Sequence, residues 1–382
     1  MKKFILISLI LLNISIIYGK DFSKIDNQSK TVPSNLKTAE EIAKYLTQNI
    51  TSPTEKARAI YIWIAHNIKY DLAKLNSNST YFNSQELVDD VLKNRKGVCA
   101  NYAQLFHSCC QSVGVQSYVI NGYTKQDGKM ANISHAWNAV KIDKQFYCID
   151  ITWAAGYLDA GKYVHSFRDE FFMIKPAVFI KTHIPFDPIW QFFNNPISNS
   201  DFEKSDFSKL QMASNFNFND SIALLEKLNP LDKMVRENRR IFHCGITNPL
   251  IEAQFTYNQK SIENFKYNKL VVMMQNSQDL FNKSVADFNF YILSKNKQFE
   301  NMSLKDEKIT AMLATSRQNM ESAENILKGI YSNNSEMNNS MKEMKTAIEN
   351  LKSKLENEDE FVKKYIKTWT PLRKLLFVTI RQ

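Results

Sequence analysis

Apolar and polar positions divide the chain into a leading apolar run, a stretch of mixed helix and strand, and a long helical stretch. After Met1-Lys2-Lys3, residues Phe4 to Ile17 are almost continuously apolar, interrupted by Ser8, Asn13 and Ser15. From Lys20 to about Asn35 the chain is polar. Helical spacing then begins. Thr38-Ala39-Glu40-Glu41 has the form of a capping box, and Ile42, Tyr45 and Leu46 fall on one face of the helix it opens. Ser52-Pro53 starts a second helix, proline being tolerated in a first turn, with a stripe of Ala57, Ile60, Tyr61, Ile64 and Ala65. An Asn/Ser loop at Asn76 to Thr80 leads to a third helix, Ser84 to Lys93, which buries Leu87, Val88 and Val91 and runs into a turn at Gly97.

Cys99 opens the next helix. Tyr102, Ala103, Phe106, Cys109, Cys110 and Val113 share its broad apolar face, and Gly114 ends it. Alternation then switches to period two, predicting strands at Gln116–Tyr123, Ile133–Ile142 and Gln145–Trp153, with Asp127-Gly128 as the first turn. If the last hairpin closes on Asp143-Lys144, Ile142 faces Gln145, His135 opposes Thr152 and Trp137 opposes Asp150. A two-residue loop therefore puts His135 and Asp150 on one face as diagonal neighbours, about 7–8 Å apart at the backbone. An odd-numbered loop would put them on opposite faces.

From Tyr163 to Gln191 aromatics and prolines occur without clean period, which predicts a segment wrapping over the sheet and closing the domain near Ser200. His165 and His183 in this stretch read as packed or hydrogen-bonded residues. Beyond Asp201 glycine is scarce and helical stripes dominate, broken at Asn248-Pro249 and at Asn333-Asn334. Met337, Met341, Met344, Ile348, Leu351 and Leu355 alternate spacings of four and three, a heptad seam too short for an autonomous coiled coil and better suited to a helical hairpin. A short basic and apolar tail runs from Arg373 to Arg381.

Composition narrows the partners. The 382 residues are 44% hydrophobic and 12% aromatic, enough to fill the cores of two or three units. The net charge of +10 is spread along the chain without basic–aromatic runs, which argues against nucleic acid and leaves peripheral attraction to anionic cell-envelope polymers. The leader is shorter than the ~20 apolar residues of a membrane span. It reads as a signal peptide over residues 1–19, so the chain is expected to be exported, periplasmic or secreted. Cys99, Cys109, Cys110, Cys148 and Cys244 make an odd thiol count, which in an exported protein leaves at least one free or paired between chains. A free nucleophile at Cys99 accounts for it; any pairing among the other four stays open.

Acyl transfer at an amide needs a nucleophile, a base and a group that orients the base. Cys99, His135 and Asp150 supply these types in order. A helix N-terminus favours a thiolate over a thiol, and an Asp between Ile149 and Ile151 on a half-buried strand needs a partner. The backbone N–H of Cys99 is the first oxyanion donor. Trp137 and Trp153 are candidate substrate-binding walls, with aromatic core filling as the equal alternative.

The runs Arg95-Lys96-Gly97-Val98-Cys99-Ala100-Asn101-Tyr102-Ala103, His135-Ala136-Trp137-Asn138 and Ile149-Asp150-Ile151-Thr152-Trp153 resemble the transglutaminase-like superfamily of papain-type thiol enzymes. Gly114-Val115, Asn121-Gly122-Tyr123 and the lead-in Ile60 to Asp71 fit the same pattern. The segment Tyr163 to Gln191 resembles the branch that includes kyphoscoliosis peptidase and a fungal cytokinesis protein. The resemblance implies an α+β fold with the Cys-bearing helix packed on an antiparallel sheet, followed by a mostly α-helical C-terminal region. It implies the Cys99-His135-Asp150 triad, no cofactor and no required metal. Ile151 stands where many relatives carry proline. The expected organisation is a lead-in at 20–50, a transglutaminase-like domain at 51–200 and a helical region at 201–382. The expected activity is that of a cysteine peptidase or amide hydrolase on a protein or peptide substrate. The alternatives are a protein-glutamine acyltransferase and a non-catalytic scaffold whose helical region binds a protein partner.

Overall fold

The computed structural model describes residues 21–75, 83–212, 216–299 and 306–377. The leader, the Asn76 to Thr80 loop and the end of the tail at Arg381 lie outside the described residues. Two compact units divide after Asn258.

The first unit is α+β. Helix α1 (Ala39–Leu46) carries both halves of the capping box between Thr38 and Glu41, and α2 (Pro53–Asn67) has proline in its first turn. Helix α3 (Ser84–Asn94) is capped by the Asn83 side chain and ends at Arg95, whose φ is 54°. Helix α4 (Cys99–Ser112) follows. Ile42, Ile60, Trp63, Val91, Phe106 and Cys109 are all fully buried in one core shared by these helices. The stripe on α2 therefore widens to nearly the whole helix, Ala57 to Ala65 being buried throughout, as expected of a central helix enclosed on all sides.

The sheet is antiparallel. Strand β1 (Ser117–Gln126) pairs with β2 (His135–Ile142), and β2 with β3 (Gln145–Ile149). Ile142 pairs with Gln145 and Asn138 with Ile149, so the β2–β3 loop is the two residues Asp143 and Lys144, both with positive φ (50° and 66°). That is the twist a two-residue hairpin requires. The expected strand Gln145–Trp153 stops at Ile149. Asp150 leaves the ladder and caps a short helix, α5 (Ile151–Ala155), by accepting from the Trp153 N–H at 3.0 Å. The β-branched pair Ile151-Thr152 reads as strand, but the cap outweighs that propensity.

Beyond α5 a hairpin of β4 (Gly156–Asp159) and β5 (Lys162–His165) precedes the irregular segment. That segment does wrap the sheet, and it adds β6 (His183–Pro185) to β1 at Gly122–Thr124. Gly122 is required there. A Cβ on it would lie 2.1 Å from the Ile184 carbonyl oxygen and 2.5 Å from the Trp137 ring.

Both expected edges of the domain shift. Ile42 and Ala43, from the 20–50 lead-in, are fully buried in the shared core, and Arg58 of α2 pairs with Asp26 as well as Asp169. On the other side, Arg240 grips Asp187 through two bonds of 2.7 Å, and Ile241 and Ile251 are buried with Tyr123 and Ile184. Residue 200 therefore falls inside the first unit. The loss of glycine there marks a change of secondary structure, while the core continues.

The second unit is helical. A helix α6 (Pro249–Asn296) begins before the division and continues past it, followed by α7 (Asp306–Lys328) and α8 (Ser335–Lys367). The six heptad residues from Met337 to Leu355 are all buried on α8, in one cluster with Ile309, Leu313 and Met320 of α7. Ser277 and Ser284 of α6 donate to the Ala323 and Ser316 carbonyls of α7, a close approach that small residues allow.

Replacing Gly122 by alanine forces β6 or the Trp137 ring aside, so Gly122→Ala is expected to cost about 3 kcal/mol. Urea unfolding of the two proteins checks this, and an unchanged midpoint would contradict the close packing of β6 on β1.

Candidate active site

The turn before α4 is built to hold one residue still. Lys96–Gly97 pairs in parallel with Lys69–Tyr70, fixing the chain on one side. On the other, the fully buried Asn101 accepts from the Val98 N–H at 3.0 Å and donates to the Leu87 carbonyl at 3.0 Å. Gly97 is the room Asn101 occupies, since a Cβ there would sit 2.6 Å from the Asn101 Cβ. Tyr102 anchors the same turn by donating to the Ile68 carbonyl at 2.6 Å. Cys99 is the first residue of α4, partly exposed, and its N–H is one of those a helix leaves without an intrahelical partner.

His135 begins β2, and Asn138 on the same strand clamps β2 to α4 by donating to the Ala103 carbonyl at 2.9 Å. The His135 imidazole, 10% exposed, bonds through Nε2 to Asp150 Oδ2 at 2.8 Å, and the Cys99 thiol is near enough to act on its charge. Cys99, His135 and Asp150 are therefore brought together in series. Asp150 reaches His135 from the cap position just past the ladder.

Asp150 has no exposed surface. Its Oδ1 accepts from the Trp153 N–H, and its Oδ2 accepts from His135 and also from His183 Nε2 at 3.1 Å. His183 is hydrogen-bonded, as the sequence suggests, but its partner was not legible. The available signal was stoichiometric: a buried carboxylate has two oxygens to satisfy, more than one imidazole fills. His165 lies elsewhere, edge-on to His66 with ring centroids 5.7 Å apart.

Electrostatics follow from this packing. Burial opposes a charge on His135, but the adjacent Asp150 carboxylate and the Cys99 thiol outweigh it and raise the imidazole above its ordinary range. Burial likewise opposes ionisation of Asp150, and His135 with His183 overcomes it, holding the carboxyl well below the usual carboxylate range. For His183 burial prevails, aided by the His135 charge, and pulls it down to about 4. His183 is thus neutral near pH 7. Burial alone raises the thiols of Cys109 and Cys148, and Cys110 is also raised. All five cysteines are free, and these three act as small core hydrophobes.

The two tryptophans separate. Trp153 stacks 5.9 Å from the His135 ring and lines a cleft of about 510 Å³ with Tyr70, Tyr157, Leu158 and Tyr163. Trp137, expected beside it as a wall, is 2% exposed and packs in the core against Phe179 and His183. Strand parity put Trp137 on the His135 face, but the Phe179 and His183 side chains of the wrapping segment pack against it there. Among the described residues, His135, Asp150 and His183 form the group whose ligand atoms, within 4.8 Å of one another, come near enough for a metal ion. Here those atoms are joined by hydrogen bonds to one shared oxygen.

Residues 40–151 match the family model of the transglutaminase-like superfamily. Over 199 residues the chain is 34% identical to kyphoscoliosis peptidase of Mus musculus, covering 49% of this chain and 29% of that protein. It is 27% identical over 191 residues to cytokinesis protein 3 of Schizosaccharomyces pombe, covering 48% and 21%. Hillarin of Drosophila melanogaster aligns at 25% identity over 210 residues, 49% and 25%. The chain thus spans less than a third of the length of these relatives.

The His135–Asp150 pair makes stability depend on pH with a definite sign. His135, raised in the fold, contributes stability that is complete below its unfolded value of 6.5 and is lost as pH rises through the folded value. Unfolding followed between about pH 6 and about pH 9 should show wild-type stability falling, while Asp150→Asn, which removes the charge partner, gives a lower and flatter curve. Two parallel curves would contradict the pairing.

Proposed function

The chain carries a transglutaminase-like domain, and on that premise we propose that it is a thiol enzyme that hydrolyses amide bonds in protein or peptide substrates through Cys99, His135 and Asp150. The observation that carries this reading is the His135–Asp150 hydrogen bond, with the Cys99 thiol acting on the same imidazole and His135 lining an open, aromatic-lined cleft.

In this reading the proton of Cys99 passes to His135, and the thiolate attacks the substrate carbonyl carbon. The developing oxyanion is met by the Cys99 N–H at the start of α4. The His135 imidazolium gives its proton to the leaving amine as the C–N bond breaks, leaving a thioester on Cys99. Water then adds its oxygen to the thioester carbonyl carbon as His135 takes its proton, the C–S bond breaks with its electron pair going to the Cys99 thiolate, and the carboxylic acid departs. Asp150 keeps Nε2 of His135 protonated throughout, so the other ring nitrogen faces the thiol as the base.

Water rather than an amine is favoured as the second reactant by the openness of the cleft rim. Ile133, Tyr157 and Leu158, all lining the cleft, are each about half exposed. The name of the mouse relative, a peptidase, points the same way. Transfer of the acyl group to an amine shares every step up to the thioester. Export is part of the same proposal and rests on the leader at residues 1–19. The helical unit beyond Asn258 is proposed as a protein-binding region.

Incubating the mature protein with a thiol-directed probe, then with casein and a fluorescent amine, separates these outcomes. Hydrolysis predicts labelling at Cys99 and loss of casein, both abolished in Cys99→Ala, with His135→Ala reducing turnover about 10³-fold or more. Amine incorporation would make the chain an acyltransferase. Equal behaviour of wild type and Cys99→Ala in every channel would end the enzymatic reading.

A further inference from the structure

The proposed mechanism uses one histidine, yet a second is built against the same carboxylate. His183 is fully buried, stacked on Phe179 at 4.0 Å with rings 18° from parallel, and 4.4 Å from Trp153. Its Nε2 meets Asp150 Oδ2 at 3.1 Å, and its Nδ1 meets Thr182 Oγ1 at 2.8 Å. A carboxylate only accepts hydrogen bonds, so Nε2 carries the proton. In a neutral ring Nδ1 must then accept, and the Thr182 hydroxyl donates to it. The Phe179 carbonyl, at 3.3 Å, is the more distant acceptor for that hydroxyl.

We infer that His183 is a positioning residue that shares the Asp150 oxygen with His135 and so limits how tightly Asp150 holds the proton on His135. The inference rests on the reading of Cys99, His135 and Asp150 as the catalytic series. Each N–H donated to Oδ2 disperses its negative charge and weakens its pull on the other donor. With His135 as sole donor on that oxygen, the imidazolium would be stabilised further. It would then be a poorer acid toward a leaving amine, because general acids work best with a pKa near the working pH. With His183 present, the carboxylate still fixes the ring while its hold on the proton is divided.

The titratable groups around this centre are few among the described residues. Cys99 faces His135 from α4, and the Tyr61 and Tyr70 phenols sense Asp150 from α2 and the short strand after it. Burial keeps both phenols neutral by raising them above their ordinary range. Lys125, next to the β6 pairing, directs its ammonium away to the carbonyls of Phe202 and Glu203. Arg168, which lines the same cleft, gives its guanidinium to the Trp153 carbonyl, so His135 is the cation bonded to Asp150 through which a change at His183 is read.

The test is the pH dependence of Cys99 alkylation by iodoacetamide in the full chain, which requires no substrate. His183→Phe keeps the ring volume and removes the donor. His183→Gln places an amide N–H where Nε2 stood. Thr182→Val removes only the hydroxyl that fixes the tautomer, and remains informative if His183→Phe does not fold. The expected result is an alkaline limb, where His135 loses its proton, that moves up by about one pH unit in His183→Phe. The shift should be smaller in Thr182→Val, and His183→Gln should lie near wild type. Unmoved limbs in the folded variants, with only a lower melting temperature, would overturn the inference and leave the catalytic series standing. A wild-type profile of one ordinary thiol titration, with no His135 limb, would overturn the catalytic series and this inference together.

Discussion

A carboxylate with no exposed surface is tolerated only where donors surround it, and the first unit is arranged around satisfying Asp150. The Trp153 N–H, His135 Nε2 and His183 Nε2 all point at it, between 2.8 and 3.1 Å. Its own backbone N–H is held by the Phe171 carbonyl. The end of β3, the start of α5, the first residue of β2 and the wrapping segment that carries β6 therefore converge on one side chain. Losing any of these donors would leave a buried charge under-solvated, so the same constraint that shapes the site also ties together elements far apart in the chain.

From Asp150 the order extends outward to the thiol. His135 is held by the carboxylate on one side, and by the β2–α4 clamp at Asn138 and Ala103 through its own strand. Cys99 is held independently, by the Gly97–Asn101 fit and the Tyr102 anchor. Two rigid supports thus meet at the contact between thiol and imidazole, so nucleophile and base need little reorganisation to react. His135 and Trp153 both line the cleft, Trp153 being the surface shared by core and cleft.

Much of this was legible from local rules. The Thr38 capping box, the proline that starts α2, the Cys99 helix start and the Asp143-Lys144 hairpin depend on a few neighbouring residues, and the structure has them. The two-residue hairpin is as read, but the pairings of His135 with Thr152 and Trp137 with Asp150 do not form, because the ladder ends at Asn138 and Ile149 and Asp150 meets His135 from a helix cap. What stayed hidden depends on contacts between distant segments. Asp150 caps a helix because Trp153 N–H is available to it, against the strand propensity of Ile151 and Thr152. Trp137 is buried because the wrapping segment brings Phe179 and His183 against it, and nothing in the spacing of aromatics from Tyr163 to Gln191 places that return. The partner of His183 was invisible for the same reason. The extension of the core past residue 200 depends on Asp187 meeting Arg240, 53 positions along the chain.

Asp150 holds a proton on Nε2 of His135 and keeps this imidazole charged beyond its ordinary range. Nitrogen NMR of the His135 ring in the full chain, recorded from about pH 5 to about pH 9, measures that state directly. The expected result is that Nε2 stays protonated across the range and that the ring remains doubly protonated well above pH 6.5, the ordinary imidazole value. A ring that loses its proton near 6.5, or a neutral form protonated on the other nitrogen, would contradict it.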